Sequence, residues 1–234
     1  MAKQQVRIVS LSLSEMITLN PLTLPAFQLA SIDANNIPRV RSCIHREFLG
    51  AKASPSLPLL LSTTDIRTPK CVQILSNPDI ECVFWAESTQ EQYRVTGKIS
   101  IIPTPAHPYY AQFDPFRGPA LTALKNEGID WEEKRTESFN SMSTYMKATW
   151  CRPAPGSKLD GGYEEGNKWP DKLPKLGEAK NEEEKRNLEQ ALGNFALMVI
   201  DPVEVDFVEL GVVPNQRTKF TREGGKWVEQ IVVP

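Results

Sequence analysis

The feature that most constrains the fold is a series of short segments, between residues 27 and 102, in which apolar and polar residues alternate. A period of two is typical of β-strands, because successive side chains point to opposite faces. About five strands in roughly 75 residues, joined by short turns, predict an antiparallel sheet or barrel. The predicted strands are residues 27–32, 38–48, 57–62, 80–85 and 93–102. The turn residues Asp33-Ala-Asn-Asn36 predict that the first two form a hairpin.

The remainder of the chain mixes helices, a loop and further strands. Residues 67–75 have the spacing of a brief helix that ends at Asn77-Pro78. Residues 103–149 lose the alternation, and helix formers at 121–127 and 131–146 predict two or three helices. Glycines, prolines and charges predict a flexible loop over residues 157–181, and Asn181 is suited to cap a short helix. The last predicted strands are residues 195–200, 203–213, 217–222 and 227–233, with a turn at Gly224-Gly225 between the final two.

Length and charge exclude several classes of protein. The 234 residues suit one domain, and 40% hydrophobic residues suffice for a sizeable core. Lys and Arg total 27 against 29 Asp and Glu, so there is no basic excess to bind nucleic acid or an anionic membrane. No stretch approaches the roughly 18 apolar residues that a membrane-spanning helix needs. We therefore expect a cytoplasmic protein with neither nucleic acid nor membrane as a partner.

Cysteines and histidines give no sign of a metal site or of hydrolytic chemistry. The cysteines have neither zinc-ligand spacing nor the pattern of a disulfide framework, so we interpret them as reduced thiols. They are Cys43, Cys71, Cys82 and Cys151. His45 and His107 are isolated from each other and from any paired ligand. No nucleophile elbow, P-loop or Rossmann glycine pattern occurs, and no histidine is placed to serve a Ser or Cys nucleophile.

Cations and hydroxyls, in contrast, recur at the ends of the predicted strands. Arg41 and Arg46 lie five apart on one strand, and Ser62-Thr-Thr64 and Thr68-Pro-Lys70 follow. A phosphate group needs guanidinium, ammonium and hydroxyl donors, and these residues supply each kind. Each also has an ordinary structural explanation, since strand arginines are mostly solvated and a Thr-Asp pair is mostly a turn or a helix cap. Spacing alone leaves both explanations open.

The order of these motifs resembles the pyridoxamine 5′-phosphate oxidase family of FMN-binding split barrels, in its shorter oxidase-related branch. The motifs are an Arg strand at 41–48, Thr64-Asp-Ile-Arg67-Thr-Pro-Lys70, Asn77-Pro, Trp85, and Glu91-Gln-Tyr-Arg-Val-Thr-Gly97. Residues 139–143, 153–156 and the closing strands of the chain extend the resemblance to about residues 26–234. It implies a mainly β protein with peripheral helices, an FMN-binding split β-barrel in a single domain over residues 1–234. Within that domain, 1–25 would be a divergent N-terminal segment, 103–150 a helical insertion and 157–181 a flexible loop.

The resemblance also implies FMN at the interface of a homodimer. Arg41 and Arg46 match the paired basic residues of the flavin strand, where the second is usually Lys. Thr64, Thr68 and Lys70 match the phosphate turn, with Lys70 the cation nearest the phosphate. Gln92 matches a flavin contact from a neighbouring strand. Ser143 and Arg217 match positions that complete the site from the second subunit.

One departure from the family concerns the substrate. The authentic oxidases carry an Arg-x-His pair on the penultimate strand that grips pyridoxal phosphate, and the aligned stretch here is Val213-Pro-Asn-Gln216. Phe207 and Met142 also stand where the oxidases have other residues. The cofactor residues are retained while the residues for the B6 vitamer are not, so the small-molecule substrate is left open.

Three functions are consistent with this sequence. The first is an FMN-dependent oxidoreductase, in which the protein orients the flavin and the flavin carries out the hydride chemistry. The second is a non-catalytic module that binds or stores FMN, and the third is a weak pyridoxamine 5′-phosphate oxidase. The catalytic residues are not identified by the sequence, and all three functions need the same flavin pocket.

Overall fold

In the computed structural model, residues 26–234 are described. The predicted divergent N-terminal segment, residues 1–25, lies outside the described residues. Eight antiparallel strands form one sheet in the order β3-β2-β1-β4-β5-β6-β7-β8, and β3 also pairs with β6. The strands are β1 (Ala26–Ile32), β2 (Pro38–Leu49), β3 (Leu59–Asp65), β4 (Asp79–Ala86), β5 (Glu91–Ile102), β6 (Phe195–Glu209), β7 (Gln216–Glu223) and β8 (Lys226–Ile231).

The pairing of β3 with β6 closes the first six strands of the sheet into a barrel, and β7 and β8 continue beyond it. The predicted hairpin is confirmed, because β1 pairs with β2 from Ala26 opposite Ile44 to Ile32 opposite Pro38. The predicted antiparallel barrel is likewise confirmed. Closure removes the open edges that an isolated six-stranded sheet would present.

Alternation along the strands separates two hydrophobic cores. One face of each strand fills the barrel interior, with Phe27, Leu29, Phe84, Val95 and Met198 among its buried side chains. The other face of β3 and β6 packs against the helices, and this second core is rich in buried aromatic side chains. Those aromatic side chains are Trp131, Phe139, Trp150 and Phe195.

Within residues 26–234, five α-helices and two 3₁₀ turns surround the barrel. The helices are α1 (Pro69–Ser76), α2 (Pro119–Asn126), α3 (Trp131–Ser141), α4 (Thr144–Thr149) and α5 (Glu182–Asn194), and the 3₁₀ turns are Pro108–Gln112 and Tyr163–Lys168. The brief helix predicted over residues 67–75 is present as α1. The side chain of Asn181 caps α5 as predicted, accepting a hydrogen bond from the Glu184 amide (2.8 Å).

The two or three helices predicted over residues 103–149 are confirmed as α2, α3 and α4. The helix-forming run 131–146 divides between α3 and α4, because Met142 and Ser143 are extended and the Ser143 side chain caps α4 by accepting from the Met146 amide (3.2 Å). One predicted break was wrong. The two strands predicted over 195–200 and 203–213 are one strand, β6, which ends at Glu209. Asp201-Pro202 resembles a break in the sequence, but the strand continues because the pairing register shifts opposite Gly97.

Gly97 is required at that shift. A Cβ atom built on Gly97 would lie 2.4 Å from the backbone oxygen of Asp201, much closer than van der Waals contact. The absent side chain therefore lets β5 and β6 approach closely where Pro202 interrupts the regular ladder.

Candidate functional site

Four of the predicted site residues meet where α1 covers one end of the barrel. Arg41 points inward from β2, Thr64 lies near the end of β3, Thr68 precedes α1, and Lys70 is in its first turn. We call these residues, with Cys71, the barrel-end cluster. The Cys71 side chain is fully buried among them, its Sγ 3.4 Å from the Thr68 hydroxyl and 3.9 Å from that of Thr64.

Arg41 is held at this end by three hydrogen bonds. Its guanidinium donates to the carbonyl of Leu29 (3.1 Å), to the hydroxyl of Ser31 (2.8 Å) and to Oε1 of Gln73 (2.7 Å). Burial lowers the pKa of Arg41, although not enough to remove a proton from a guanidinium near neutral pH. The cation is thus fixed in place beside the first turn of α1.

The start of α1 offers donors of its own. Thr68 occupies the capping position, but its hydroxyl donates to the Asp65 carbonyl (2.7 Å) and does not cap the helix. Pro69 follows at a position where its missing N–H costs nothing. Within the described residues, the Lys70 ammonium has no hydrogen-bond or ion-pair partner, although it lies close enough to Cys43 and Cys71 to influence their thiols.

The donor set of the barrel-end cluster fits a phosphate monoester. Two cations, two hydroxyls and the positive end of a helix dipole converge there, and phosphate binds best to such a combination. Asp65, which follows Thr64 directly in the sequence, is the carboxylate nearest to these residues along the chain. The Arg67 guanidinium donates hydrogen bonds to both of its oxygens (2.6 and 3.0 Å), so the charge of Asp65 is already compensated. The cluster therefore has an excess of positive charge.

Arg46 lies on the opposite face of β2, at a β-bulge. His45 pairs with Ser62 and Glu47 with Leu61, which leaves Arg46 as the extra residue of the strand. Its Nε donates to the Thr63 hydroxyl (3.3 Å), and burial lowers its pKa. The terminal nitrogens of Arg46 have no partner within the described residues.

Arg46 and Ser143 border the same cavity, of about 490 Å³, between β2 and the α3–α4 junction. The other lining residues are Glu47, Ser138, Ser141, Met142 and Met146. Lys134 neutralises Glu47 through an ion pair of 2.8 Å, so Arg46 is the uncompensated charge among these lining residues.

Ser138 adds an unused hydroxyl to this cavity. Ser141 donates to the Ser138 carbonyl (2.7 Å), whereas the buried Ser138 Oγ itself has no partner within residues 26–234. Buried polar groups normally have a hydrogen bond, so an unpaired hydroxyl on a cavity wall is a candidate ligand contact. Nothing in the spacing of the sequence marked Ser138, which is one of two serines on α3.

Gln92 and Arg217 form a third group, on the outward face of the sheet. Gln92 on β5 and Arg217 on β7 both lie opposite Val208 of β6, so their Cα atoms are about two strand spacings, or 10 Å, apart. Arg217 donates to both carboxylate oxygens of Asp206 (2.9 and 2.8 Å), and Arg94 binds the same carboxylate.

The eight predicted site residues thus fall into three groups within one chain. Arg41, Thr64, Thr68 and Lys70 meet at the barrel end, Arg46 and Ser143 share the cavity, and Gln92 and Arg217 share the outward face. Sequence reasoning missed Ser31 and Gln73, which are uncharged and have no conspicuous pattern. Their signal in the sequence is slight, namely that Gln73 follows Lys70 by three residues and so lies on the same side of α1.

Residues 12–103 match the model described as the FMN-binding domain of pyridoxamine 5′-phosphate oxidase. The resemblance and the FMN cofactor predicted from the sequence are confirmed by this match. No curated protein matches the chain significantly.

The solved structures that share the fold include the following two. A pyridoxamine 5′-phosphate oxidase-related FMN-binding protein from Nostoc punctiforme aligns with a TM-score of 0.62 and 23% identity, over 90% of this chain and 87% of that one. PhzG from Burkholderia lata, crystallised with tetrahydrophenazine-1-carboxylic acid, aligns with a TM-score of 0.55 and 11% identity, over 94% and 87%. Identities this low support the split-barrel fold and nothing finer.

No helix within residues 26–234 is both long and apolar enough to cross a bilayer. The cytoplasmic location stays a prediction.

Proposed function

Since residues 12–103 match the model of the FMN-binding domain of pyridoxamine 5′-phosphate oxidase, we propose that the protein is an FMN-dependent oxidoreductase whose flavin phosphate binds at the barrel-end cluster. The observation that carries this proposal is the convergence of Arg41, Thr64, Thr68 and Lys70, which come from β2, β3 and the start of α1. Bound FMN supplies hydride or electron transfer at its ring system. The protein supplies binding, orientation and exclusion of water.

The proposed role of the barrel-end cluster is to bind the flavin through its phosphate. Arg41 and Lys70 would supply charge, and Thr64 and Thr68 would supply hydroxyl donors. Both hydroxyls donate to the Asp65 carbonyl, Thr64 at 3.2 Å and Thr68 at 2.7 Å, and each would rotate away from that carbonyl to donate to an incoming phosphate oxygen. A phosphate bound by charged donors is a strong anchor for a cofactor whose ring must keep a fixed orientation.

The cavity beside Arg46 is the proposed place for the reacting part of the flavin and for the substrate. Arg46 and Ser143 offer donors to ring oxygens and nitrogens, and Met142 and Met146 offer an apolar wall. The free hydroxyl of Ser138 and the unpaired nitrogens of Arg46 favour a substrate that carries hydrogen-bond acceptors. A residue that moves a proton in the reaction is not part of this proposal.

We further propose a homodimer with FMN at its interface. Gln92 and Arg217 lie on the outward face of the sheet, on strands three and five places away from β2 in the sheet order, so a second subunit is a simple way to bring them to a flavin held by Arg41. Ser143 shares a cavity with Arg46 within one chain, so its role does not by itself require the partner. Light scattering should give a dimer for the FMN-loaded protein, and a flavin-loaded monomer at micromolar concentration would contradict the interface.

The flavin and its activity can be tested together. Purified protein should be yellow, with one FMN per chain, and colourless protein that takes up no added FMN would refute the proposal. The flavin is then photoreduced without oxygen and mixed with oxygen or other acceptors, and candidate donors are tested for reduction of the oxidised form. Turnover with a donor and an acceptor supports an oxidoreductase, whereas a flavin that no donor reduces supports the storage alternative.

The substrate is proposed to differ from pyridoxamine 5′-phosphate. Pro214 and Asn215 offer no charge where the oxidases place the Arg-x-His pair, and loss of two charged contacts should cost several kcal/mol of binding, about 3–6 at the usual 1.5–3 each. We expect peroxide release with pyridoxamine 5′-phosphate at least about a hundredfold below that of an authentic oxidase, with FMN fully bound. A comparable rate would mean that other residues bind the second phosphate.

A further inference from the structure

Arg41 differs from most arginines of the described chain in the charge of its partners. Six arginines within residues 26–234 form ion pairs with carboxylates, namely Arg39, Arg67, Arg94, Arg135, Arg217 and Arg222. Arg41 is equally well hydrogen-bonded, but a carbonyl, a hydroxyl and an amide oxygen are its acceptors. Its position is therefore fixed while its charge is left uncompensated.

Gln73 is central to this arrangement. Its Oε1 accepts from the Arg41 guanidinium (2.7 Å) and also from the Ser31 hydroxyl (2.9 Å), and Ser31 in turn accepts from Arg41 (2.8 Å). The three side chains come from α1, β1 and β2, so this triangle joins the helix to the barrel wall at the barrel-end cluster. Ser31 is 2% exposed, which shields the triangle on its inner side.

We propose that Gln73 is a positioning residue which, with Ser31, holds Arg41 at the barrel end without neutralising it, and so makes the pocket prefer FMN over riboflavin. The inference rests on the proposed placement of the flavin phosphate at this cluster. Riboflavin has the same ring as FMN but no phosphate, so the ratio of the two affinities measures the contribution of the phosphate site alone.

A neutral acceptor is the essential feature of this design. A carboxylate at position 73 could accept the same two hydrogen bonds, but it would compensate the guanidinium charge and repel a phosphate dianion. Charge-assisted hydrogen bonds are about twice as strong as neutral ones. Compensating the charge of Arg41 should therefore lower the affinity for FMN measurably. An amide fixes the arginine and leaves its charge for the ligand.

The decisive variant is Gln73→Glu, which changes the charge and almost nothing in the shape. We expect the preference for FMN over riboflavin to fall by about 10- to 100-fold, measured by flavin-fluorescence titration of FMN-free protein. Affinity for riboflavin should stay as in the wild type. The Tm of the FMN-free variant should be unchanged or higher, because Arg41 gains an ion pair.

Opposite changes in stability and in FMN preference distinguish this role from a structural one. Gln73→Met removes the acceptor at similar volume, so it should lower the Tm more than Gln73→Glu and lower the FMN preference less. If Gln73 merely supported the fold, the variant with the larger loss of stability would also bind FMN less well. Gln230→Glu, an exposed position on β8, makes the same charge change and should alter neither property.

The outcomes separate this inference from the proposed function. A wild-type protein that prefers FMN, with a Gln73→Glu variant of the same preference, would refute the role of Gln73 and leave the phosphate site in place. A wild-type protein that binds FMN no more tightly than riboflavin would refute the placement of the phosphate, and this inference with it.

Discussion

Replacing Lys70 with alanine removes one cation from the proposed phosphate site with minimal disturbance elsewhere. The Lys70 ammonium has no hydrogen-bond or ion-pair partner within the described residues, so its loss leaves no other group unpaired. Alanine is also favourable in the first turn of α1. A charged hydrogen bond contributes roughly 1.5–3 kcal/mol, which corresponds to a 10- to 150-fold loss of FMN affinity.

The assay is flavin-fluorescence titration of FMN-free protein with FMN and with riboflavin. Lys70→Ala should weaken FMN, leave riboflavin unchanged and shift the free energy of unfolding by less than about 0.5 kcal/mol. Lys226→Ala, at the exposed start of β8, makes the same charge change and should leave both affinities as they are. If Lys70→Ala binds FMN as tightly as the wild type, Lys70 is a solvated surface charge and the phosphate must bind elsewhere.

Three further predictions concern the folded chain. Arg222→Ala should lower the free energy of unfolding in urea by about 3–5 kcal/mol, because burial already raises the pKa of Asp201 and its charge would lose the guanidinium that pairs with it. Lys219→Ala removes a half-exposed ion pair with Glu204 and should lower the same free energy by less than about 1 kcal/mol. Equal losses in the two variants would contradict the difference in burial. Gly97→Ala should lower the free energy of unfolding by about 1–3 kcal/mol. Gly193→Ala, on α5 with open space around it, should leave that free energy unchanged or raise it. A Gly97→Ala variant as stable as the wild type would disprove the close approach of β5 and β6. Hydrogen bonds from Arg217 and then Arg94 lower the pKa of Asp206. The Asp206 carboxylate therefore contributes stability that is present above the ordinary aspartate pKa and lost as the pH falls through the lowered value. Arg217→Gln should make the free energy of unfolding depend less on pH in the acid range, and an unchanged pH dependence would disprove the interaction between Arg217 and Asp206.

Local patterns were enough to predict most of the barrel. The alternation of residues 27–32 and 38–48 and the turn between them predicted the β1–β2 hairpin, because side-chain period and turn chemistry are local properties. The break predicted at Asp201-Pro202 was wrong for a non-local reason. Gly97, more than a hundred positions earlier in the chain, accommodates the proline, and the sequence near Pro202 contains no sign of this.

The candidate site shows the same division. Arg41, Thr64, Thr68 and Lys70 could be selected, along with Arg46, because charge and hydroxyl chemistry made them candidates for phosphate and the family resemblance gave them a role at the flavin. Gln73 could not be selected, because its importance depends on a contact with Arg41 that exists after α1 has packed on β1 and β5. The uncompensated charge of Arg41 also became visible when its acceptors were known, since a sequence lists cations without their partners.

Closure of the barrel by β3 and β6 has a consequence for the order in which the chain can assemble. Leu60 pairs with Ile200, so the barrel is completed by a strand that follows the entire helical region. The residues that match the family model end at residue 103, and their described part contains β1 to β5, five of the six barrel strands. Without β6, which pairs with both β3 and β5, these two strands have a free edge each. Contacts between residues so far apart in sequence form slowly, because a long loop must be ordered first. During synthesis the first five strands therefore emerge with two unpaired edges. A chain that stops before β6 exposes the edges of β3 and β5, and unpaired strand edges are where sheets aggregate.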